Sequence, residues 1–176
     1  MFDFSLWTNE NTLSLIAVGL AVLGGFFVVV QIRQQTKISR ADHDRQKKQS
    51  TIEFYNSLSS DSYQFLDDIK GKRLNSTLVN SDKDLRKSVI RYLSRLERLA
   101  IGVATDVYDF NVLCLMPGRY LCKKYEQFQE YIKETRISKD APMLYKEFEL
   151  LVNRIEKYRE KYPNQIANKK TRVKKL

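Results

Sequence analysis

Residues 11–32 read NTLSLIAVGLAVLGGFFVVVQI, a stretch of 22 residues that contains no charged side chain. At about 1.5 Å rise per residue, a helix of this length covers roughly the 30 Å hydrocarbon core of a bilayer. Its apolar residues are not confined to one stripe, as they are on a helix that packs against a soluble core. The stretch therefore predicts a single transmembrane helix over 11–32.

Two other kinds of segment fit this stretch less well. A cleaved signal peptide has a basic leader and a small-residue cleavage site after its apolar run. Here the leader, residues 1–10, reads MFDFSLWTNE and is acidic, and the apolar run ends in FFVVVQIRQQ without such a site. A core helix has a polar face, which this stretch lacks. We therefore expect the span to be retained in the mature protein.

Basic residues beside the apolar stretch predict its orientation. The first ten residues contain no Lys or Arg, whereas residues 33–50 contain six, namely Arg33, Lys37, Arg40, Arg45, Lys47 and Lys48. Because basic flanks stay in the cytoplasm, we expect the leader on the outer side of the membrane and the remainder of the chain in the cytoplasm. Cys114 and Cys122 then lie in a reducing compartment and need not form a disulfide.

Most of the net charge of +10 lies outside residues 51–162, the part of the chain that is expected to form a globular domain. Residues 33–50 hold six bases and two acids, and residues 163–176 hold five bases and no acid. The second of these segments has too few apolar residues to form a core, so it predicts a basic disordered tail. Each base near an anionic leaflet contributes about 1 kcal/mol to binding, which favours docking on the lipid bilayer. A nucleic acid ligand and a role in solubility are the alternatives for this tail.

The chain after the span predicts an all-α protein. Helix breakers are scarce, since three prolines and six glycines occur among 176 residues, and strand-like alternation is absent. Residues 33–50 are polar on all sides, so we expect the membrane helix to continue as a stalk helix. Residues 51–162 are sufficient for one cytoplasmic bundle of four to five helices.

Periodic apolar residues predict where the helices of this bundle lie. The clearest helix covers 82–104, with Ser81 as its N-cap, and its apolar residues fall within an arc of about 120°. They are Leu85, Val89, Tyr92, Leu93, Leu96, Leu99, Ala100 and Val103. A break follows at residues 116–118, and we expect Asp140 and Pro142 to open the last helix.

Two basic clusters are candidates for binding an anion. The first lies on the face of helix 82–104 opposite its apolar residues, and the second follows the break at residue 118, where a helix N-terminus adds backbone donors. Arginine presents a planar fork to phosphate and tyrosine stacks on nucleobases, so a nucleotide or oligonucleotide ligand suits both clusters. The alternative is that a helix face opposite a core is ordinarily charged. The candidates are Lys87, Arg91, Arg95 and Arg98 in the first cluster, and Arg119, Tyr120, Lys123 and Lys124 in the second.

Small residues recur every four positions inside the apolar stretch, at Ala17, Ala21 and Gly25. Such spacing lets two membrane helices approach closely, which predicts a homo-oligomer. The alternative is ordinary membrane-helix composition, because such helices are rich in small residues. The distinction matters because a single span cannot enclose a pore.

Residues that carry chemistry are scarce, and the sequence predicts neither an enzyme nor a cofactor nor a metal site. The one histidine, His43, lies in the polar stalk, and no glycine occurs in a phosphate-loop motif. No cluster of His, Cys and Asp has the spacing of metal ligands. Glu97 lies at the margin of the apolar face of its helix, where it is either a ligand-facing carboxylate or, more usually, the partner of Arg98 or Arg119.

A longer motif lies in residues 91–132, which read RYLSRLERLAIGVATDVYDFNVLCLMPGRYLCKKYEQFQEYI. It contains the pattern Y-L-x-x-x-E-x-[IL]-A-x-G, followed by a turn that ends in Y-D. At these positions the chain resembles a bacterial family known as domain of unknown function 4760. The resemblance implies a membrane helix followed by a small cytoplasmic helical domain, and it implies no activity. The matching residues are Tyr92, Leu93, Glu97, Leu99, Ala100, Gly102, Tyr108 and Asp109.

Two classes of function fit these features. The first is a membrane effector of antiphage-defence type, whose cytoplasmic domain senses a ligand or partner and controls membrane disruption or pore formation. The second is a membrane-tethered adaptor, whose domain recruits a cytosolic protein or nucleic acid while the span is a passive anchor. The first class is drawn from similarity of architecture, which does not by itself imply function.

Overall fold

The structure is a computed structural model that describes residues 5–163, apart from the side chains of residues 5–17, 21, 24 and 63. All regular structure in this part of the chain is helical, as the sequence predicts. The helices are α1 (Ser5–Asp61), α2 (Tyr63–Asp68), α3 (Ser76–Ser81), α4 (Lys83–Ala104), α5 (Phe110–Leu115), α6 (Gly118–Ser138) and α7 (Lys146–Lys161). Most of the predicted basic tail, from residue 164 onward, lies outside the described residues.

Helix α1 is one unbroken element of 57 residues that contains the predicted span and the predicted stalk. The chain separates into two compact units, and the first ends at Gln46 within this helix. Large apolar side chains of the first unit are exposed, with exposed fractions of 64% for Phe26 and 69% for Phe27. In the core helix of a soluble protein such side chains are buried. Among the described residues, α1 is the one helix whose length and composition suit a membrane span.

The second unit, from Lys47 onward, is a helical bundle. Four long segments form it, namely the end of α1 together with α4, α6 and α7, while α2, α3 and α5 have six residues each. The predicted apolar face of α4 is confirmed, since all eight residues are buried except the half-buried Leu85. Tyr92 on this face joins three helices, because its ring lies 5.9 Å from that of Phe65 and 5.7 Å from that of Phe128.

The start of α4 differs from the prediction by one residue. Asp82 is the N-cap, and its carboxylate accepts hydrogen bonds from the backbone N–H groups of Asp84 (2.8 Å) and Leu85 (3.2 Å). Ser81 instead closes α3, and its hydroxyl donates to the carbonyl of Leu78. Serine and aspartate cap helices about equally well, so the pattern alone does not choose between them.

The prediction that Asp140 and Pro142 open the last helix is wrong. Asp140 adopts a left-handed conformation (φ +47°), and the backbone N–H of Ala141 donates to the carbonyl of Arg136 (3.0 Å). This is a Schellman motif, which ends a helix, so Asp140 terminates α6. A short turn follows, and α7 begins only at Lys146.

The N-terminus of α7 is capped by a residue of α4. Tyr145 occupies the N-cap position in a left-handed conformation (φ +55°), and its own side chain makes no capping hydrogen bond. Glu97 supplies the cap, because its Oε1 accepts from the backbone N–H of Glu147 (3.1 Å) and its Oε2 from that of Phe148 (2.8 Å). The carboxylate also lies at the positive end of the helix dipole. Both predicted roles of Glu97, facing a ligand or pairing with an arginine, are therefore wrong.

The end of α4 lies directly against the ring of Tyr108. A Cβ atom on Gly102 would overlap this ring, so no larger residue fits there without a shift. The backbone N–H groups of Val107 and Tyr108 both donate to the carbonyl of Gly102 (2.8 and 2.9 Å). Asp109 then caps α5 by accepting a hydrogen bond from the backbone N–H of Val112 (3.0 Å).

Replacing Glu97 with alanine is expected to lower the free energy of unfolding by about 1–3 kcal/mol, because two backbone donors lose a charged acceptor. Glu97→Gln should lose less, since the amide oxygen still accepts one hydrogen bond. The measurement is urea unfolding of the detergent-solubilised protein, followed by circular dichroism. Glu160→Ala, an exposed carboxylate of α7, is the control. Equal unfolding midpoints for Glu97→Ala and Glu160→Ala would contradict the capping role.

Replacing Gly102 with alanine is expected to cost about 1–3 kcal/mol of stability through overlap with Tyr108, although alanine has the higher helix propensity. The same substitution in a Tyr108→Ala background should cost much less, because the overlapping ring is gone. A double-mutant cycle on the unfolding free energies measures this coupling. An identical cost in both backgrounds would show that the ring contact does not restrict position 102.

Candidate anion-binding groove

Basic side chains from two parts of the bundle line one groove of about 440 Å³, here called the basic groove. One wall is the connection between α2 and α3, and the other is the first half of α6. Five bases and one acid are among the lining residues, so the groove attracts anions. The lining consists of Lys70, Gly71, Lys72, Arg73, Tyr120, Lys123, Lys124, Glu126 and Gln127.

Gln127 fixes the backbone of the α2–α3 connection against α6. Its side-chain Nε2 donates to the backbone carbonyls of Ile69 (2.7 Å) and Lys72 (2.9 Å). Its backbone carbonyl accepts from the backbone N–H of Leu74 (3.0 Å). Gly71 lets the chain turn between these anchors, because its φ of +74° is readily adopted only by glycine. The wall that carries three of the bases is therefore ordered by contacts within the protein itself.

Lys124 is the half-buried base of the groove. Its Nζ donates to Oε1 of Gln127 (2.9 Å) and lies 5.3 Å from the centre of the Tyr120 ring. Burial lowers the pKa of Lys124, because the ammonium form loses part of its hydration. In such a partly dehydrated place, attraction between a cation and an anion is stronger than in bulk water.

Two bases of the groove, one on each wall, are available for a ligand. Arg73 on the connection and Lys123 on α6 are exposed, and neither side chain forms a hydrogen bond or ion pair with another residue of the described part. The other bases have partners within the protein. The Nζ of Lys70 lies 3.6 Å from a carboxylate oxygen of Asp67, and the Nζ of Lys72 donates to the backbone carbonyl of Asp68 (3.0 Å).

Tyr120 connects the wall of the groove with α1. Its hydroxyl lies 3.5 Å from that of Tyr92, and its ring meets the ring of Tyr55 of α1 edge to face, with 6.5 Å between centroids. Burial raises the pKa of Tyr120, so the phenol stays protonated at neutral pH. The ring is therefore uncharged, and contacts with Tyr55 and Tyr92 fix its position.

The first predicted cluster, on α4, does not line the groove. Lys87 pairs with Asp84 (3.3 Å), and Arg91 and Arg98 are exposed on the surface of the helix. Arg95 points toward the end of α1, where its Nη1 donates to Oδ2 of Asp61 at 2.7 Å. The four residues therefore do not converge on a single site.

The second predicted cluster contributes Tyr120, Lys123 and Lys124 to the groove, but not Arg119. Arg119 is exposed next to the buried Gly118, so the start of α6 is packed inside the bundle. The backbone donors predicted at this helix start are consequently not arranged around an open site. Three of the eight predicted residues lie together in the groove.

Sequence reasoning missed Lys70, Lys72 and Arg73 as site residues. They form the short run KGKR at residues 70–73, which is visible in the sequence. What the sequence does not reveal is their partner, because the hydrogen bonds that hold this run to α6 come from Gln127, more than 50 positions away.

A second set of polar contacts, here called the α1 clamp, holds the end of α1 in the bundle. The hydroxyl of the buried Thr51 accepts from the backbone N–H of Asp109 (2.8 Å), and Lys47 forms an ion pair with Asp106. At the last turns of α1, Arg95 bonds to Asp61, as described above, and its Nη2 donates to a serine hydroxyl at 2.9 Å. The clamp thus joins α1 to the middle of α4 and to the turn that follows α4.

Other reactive chemistry is not evident in the described part of the chain. Cys114 and Cys122 are free and buried, and burial raises the pKa of Cys114 to about 12 and that of Cys122 to about 11. Both thiols are therefore protonated and poorly reactive at neutral pH. No group of His, Cys, Asp and Glu side chains among the described residues is arranged to hold a metal ion.

The predicted oligomerisation face is described only in part. A Cβ atom on Gly25 would meet nothing within 4 Å, so this position is open to a neighbouring helix. The side chains of Ala17 and Ala21 lie outside the description. Self-association through this face stays a prediction.

Comparison with known families supports the resemblance found in the motif. Residues 12–155 match the family described as Domain of unknown function (DUF4760). The chain belongs to this family. No curated protein and no solved structure matches it.

The residues that carry the DUF4760 resemblance build the fold, and none of them lines the basic groove. Each has a packing or capping role: Tyr92, Leu93, Leu99 and Ala100 are buried in the core, Glu97 caps α7, Gly102 lies against Tyr108, and Asp109 caps α5. The motif residues therefore have structural roles in the bundle.

Proposed function

We propose that the protein is a non-enzymatic, single-pass membrane effector whose helical domain senses an anionic ligand and controls what its span does to the membrane. The observation that carries this proposal is that one helix, α1, contains the apolar segment and also supplies part of the domain. A protein that needs only an anchor can join its span to its domain through a flexible linker. Here the helix that would cross the membrane ends inside the sensing domain.

The α1 clamp gives the domain a means of control. Thr51 is completely buried, and its hydroxyl bonds to the turn that follows α4. Arg95, in the middle of α4, bonds to Asp61 in the final turn of α1. A ligand that binds one arrangement of these helices better than another shifts the population of α1 states by its difference in affinity.

The membrane step requires several copies of the chain. One span cannot enclose a pore, so permeabilisation depends on association of spans in a homo-oligomer. The face formed by Ala17, Ala21 and Gly25 is the proposed contact, because small residues let helices approach closely. The basic segment 33–50 favours a cytoplasmic domain under a bacterial inner membrane, with the lipid bilayer as the first partner.

A role in antiphage defence is part of the same proposal and rests on architecture. A span joined to a cytoplasmic sensing domain suits a system in which an infection signal triggers membrane disruption.

An adaptor is the second candidate, and one observation favours it. Ile137 at 83% and Met143 at 69% are unusually exposed for large apolar side chains of a folded domain. Ile137 lies in the last turn of α6 and Met143 in the connection to α7, and a cytosolic partner protein would cover them. In this case the span is a passive anchor.

Loss of membrane potential in bacterial cells that overexpress the protein separates the two candidates. We expect the wild-type chain to depolarise the inner membrane, and Ala21→Leu and Gly25→Leu to abolish the effect by blocking close helix approach. Val30→Leu is the matched control, because at about 100° per residue Val30 lies on the opposite face of the helix. A potential-sensitive dye gives the readout.

Two results would contradict the effector proposal. One is toxicity that persists in both leucine variants and in a variant that lacks residues 1–32. The other is wild-type protein that accumulates in the membrane without any change in potential, which the adaptor predicts.

A further inference from the structure

We infer that the basic groove is a binding site for a phosphate ester that carries at least two negative charges, and that this ligand bridges the α2–α3 connection and α6. The inference rests on the proposed function, since it names the ligand class that the domain senses. It follows from the charge, the free donors, the size and the rigidity of the groove.

The charge of the groove favours a multiply charged anion. Lys70, Lys72, Arg73, Lys123 and Lys124 face a single acid, Glu126, within one lining. Like charges gathered in this way repel one another, and Lys124 is in addition partly dehydrated. An anion with two or more charges relieves this repulsion, whereas a single carboxylate leaves most of it in place.

The free donors favour phosphate. Arg73 offers a planar fork that contacts two oxygens of a tetrahedral anion, and Lys123 offers a point charge from the other wall. Neither cation is engaged by another described residue, so a ligand does not have to break an existing ion pair.

The size of the groove favours an ester over inorganic phosphate alone. A volume of about 440 Å³ lies within the range of small-molecule sites and exceeds what one phosphate group fills. The neutral ring of Tyr120 lines the remaining space and suits the organic part of the ligand. The wall held by Gln127 is already ordered, so binding loses little freedom of the backbone.

The position of Tyr120 connects this ligand with α1. The same ring lines the groove and contacts Tyr55, which lies on α1 between Thr51 and Asp61 of the α1 clamp. A ligand seated against Tyr120 is thus separated from α1 by one aromatic contact. Through this contact, a ligand bound in the groove would change how firmly the α1 clamp holds α1.

Titration calorimetry on the full-length, detergent-solubilised protein tests the site with three probes. They are inorganic pyrophosphate, a nucleoside diphosphate (ADP) and a short-chain phosphatidic acid, which distinguish a bare anion, a soluble nucleotide and a lipid headgroup. We expect saturable binding of at least one ester, tighter than that of pyrophosphate. Arg73→Glu and Lys123→Glu should each weaken it by at least about tenfold, the loss of one charge-assisted hydrogen bond.

Lys133→Glu is the matched control, because Lys133 is exposed on the same helix outside the groove and the charge change is identical. It should bind like the wild type. If Arg73→Glu fails to fold by circular dichroism, Arg73→Gln replaces it with the same expectation. Absence of binding to all three probes overturns the inference, and so does an equal loss in Lys133→Glu, which would indicate nonspecific attraction.

The same variants keep this inference separate from the proposed function. Specific binding that is lost in Arg73→Glu, in a protein that never depolarises the membrane, supports the site and contradicts the effector. Depolarisation by wild-type protein that binds none of the probes supports the effector and contradicts the site.

Discussion

The bundle depends on one carboxylate, that of Glu97. Helix α7 has no side-chain cap of its own, because Tyr145 occupies the N-cap position in a left-handed conformation. Glu97 of α4 accepts the hydrogen bonds of two N–H groups at this end and so fixes where α7 starts and how it lies against α4. Phe148, which donates one of these bonds, then lies fully buried in the core. Burying such a side chain contributes roughly 1.5–3 kcal/mol, so the cap and the core packing reinforce each other.

Local patterns in the sequence predict much of this fold. The apolar stretch and the polar stalk predict the continuous α1, and the spacing of apolar residues predicts the buried face of α4, because both depend only on neighbours along one helix. The start of α7 and the role of Glu97 could not be predicted in the same way. The cap joins residues 50 or more positions apart, and a left-handed tyrosine is not a recognisable helix start.

The candidate site has the same division. The basic residues of α6 form a cluster that is visible in the sequence. The basic residues of the α2–α3 connection lie beside them because Gln127, an uncharged residue outside any motif, holds the connection against α6 by hydrogen bonds. Arg95 is of a residue type that often binds anionic ligands, but here it has a structural role. Its guanidinium forms an ion pair with Asp61 at the end of α1. The residues shared with the DUF4760 family stabilise the bundle, whereas the groove lies beside them. Under the proposed function, the bundle holds the end of α1 and the groove binds the anion that the domain senses.

The claim that the domain acts on the membrane through α1 requires the spans to assemble. The most direct measurement is the oligomeric state of the full-length protein, extracted in mild detergent and analysed by sedimentation, with and without the phosphate ester that binds best. The account predicts a discrete complex of several chains whose size or population changes with the ligand. A monomer under both conditions would contradict it, because a single span has no means of opening the membrane.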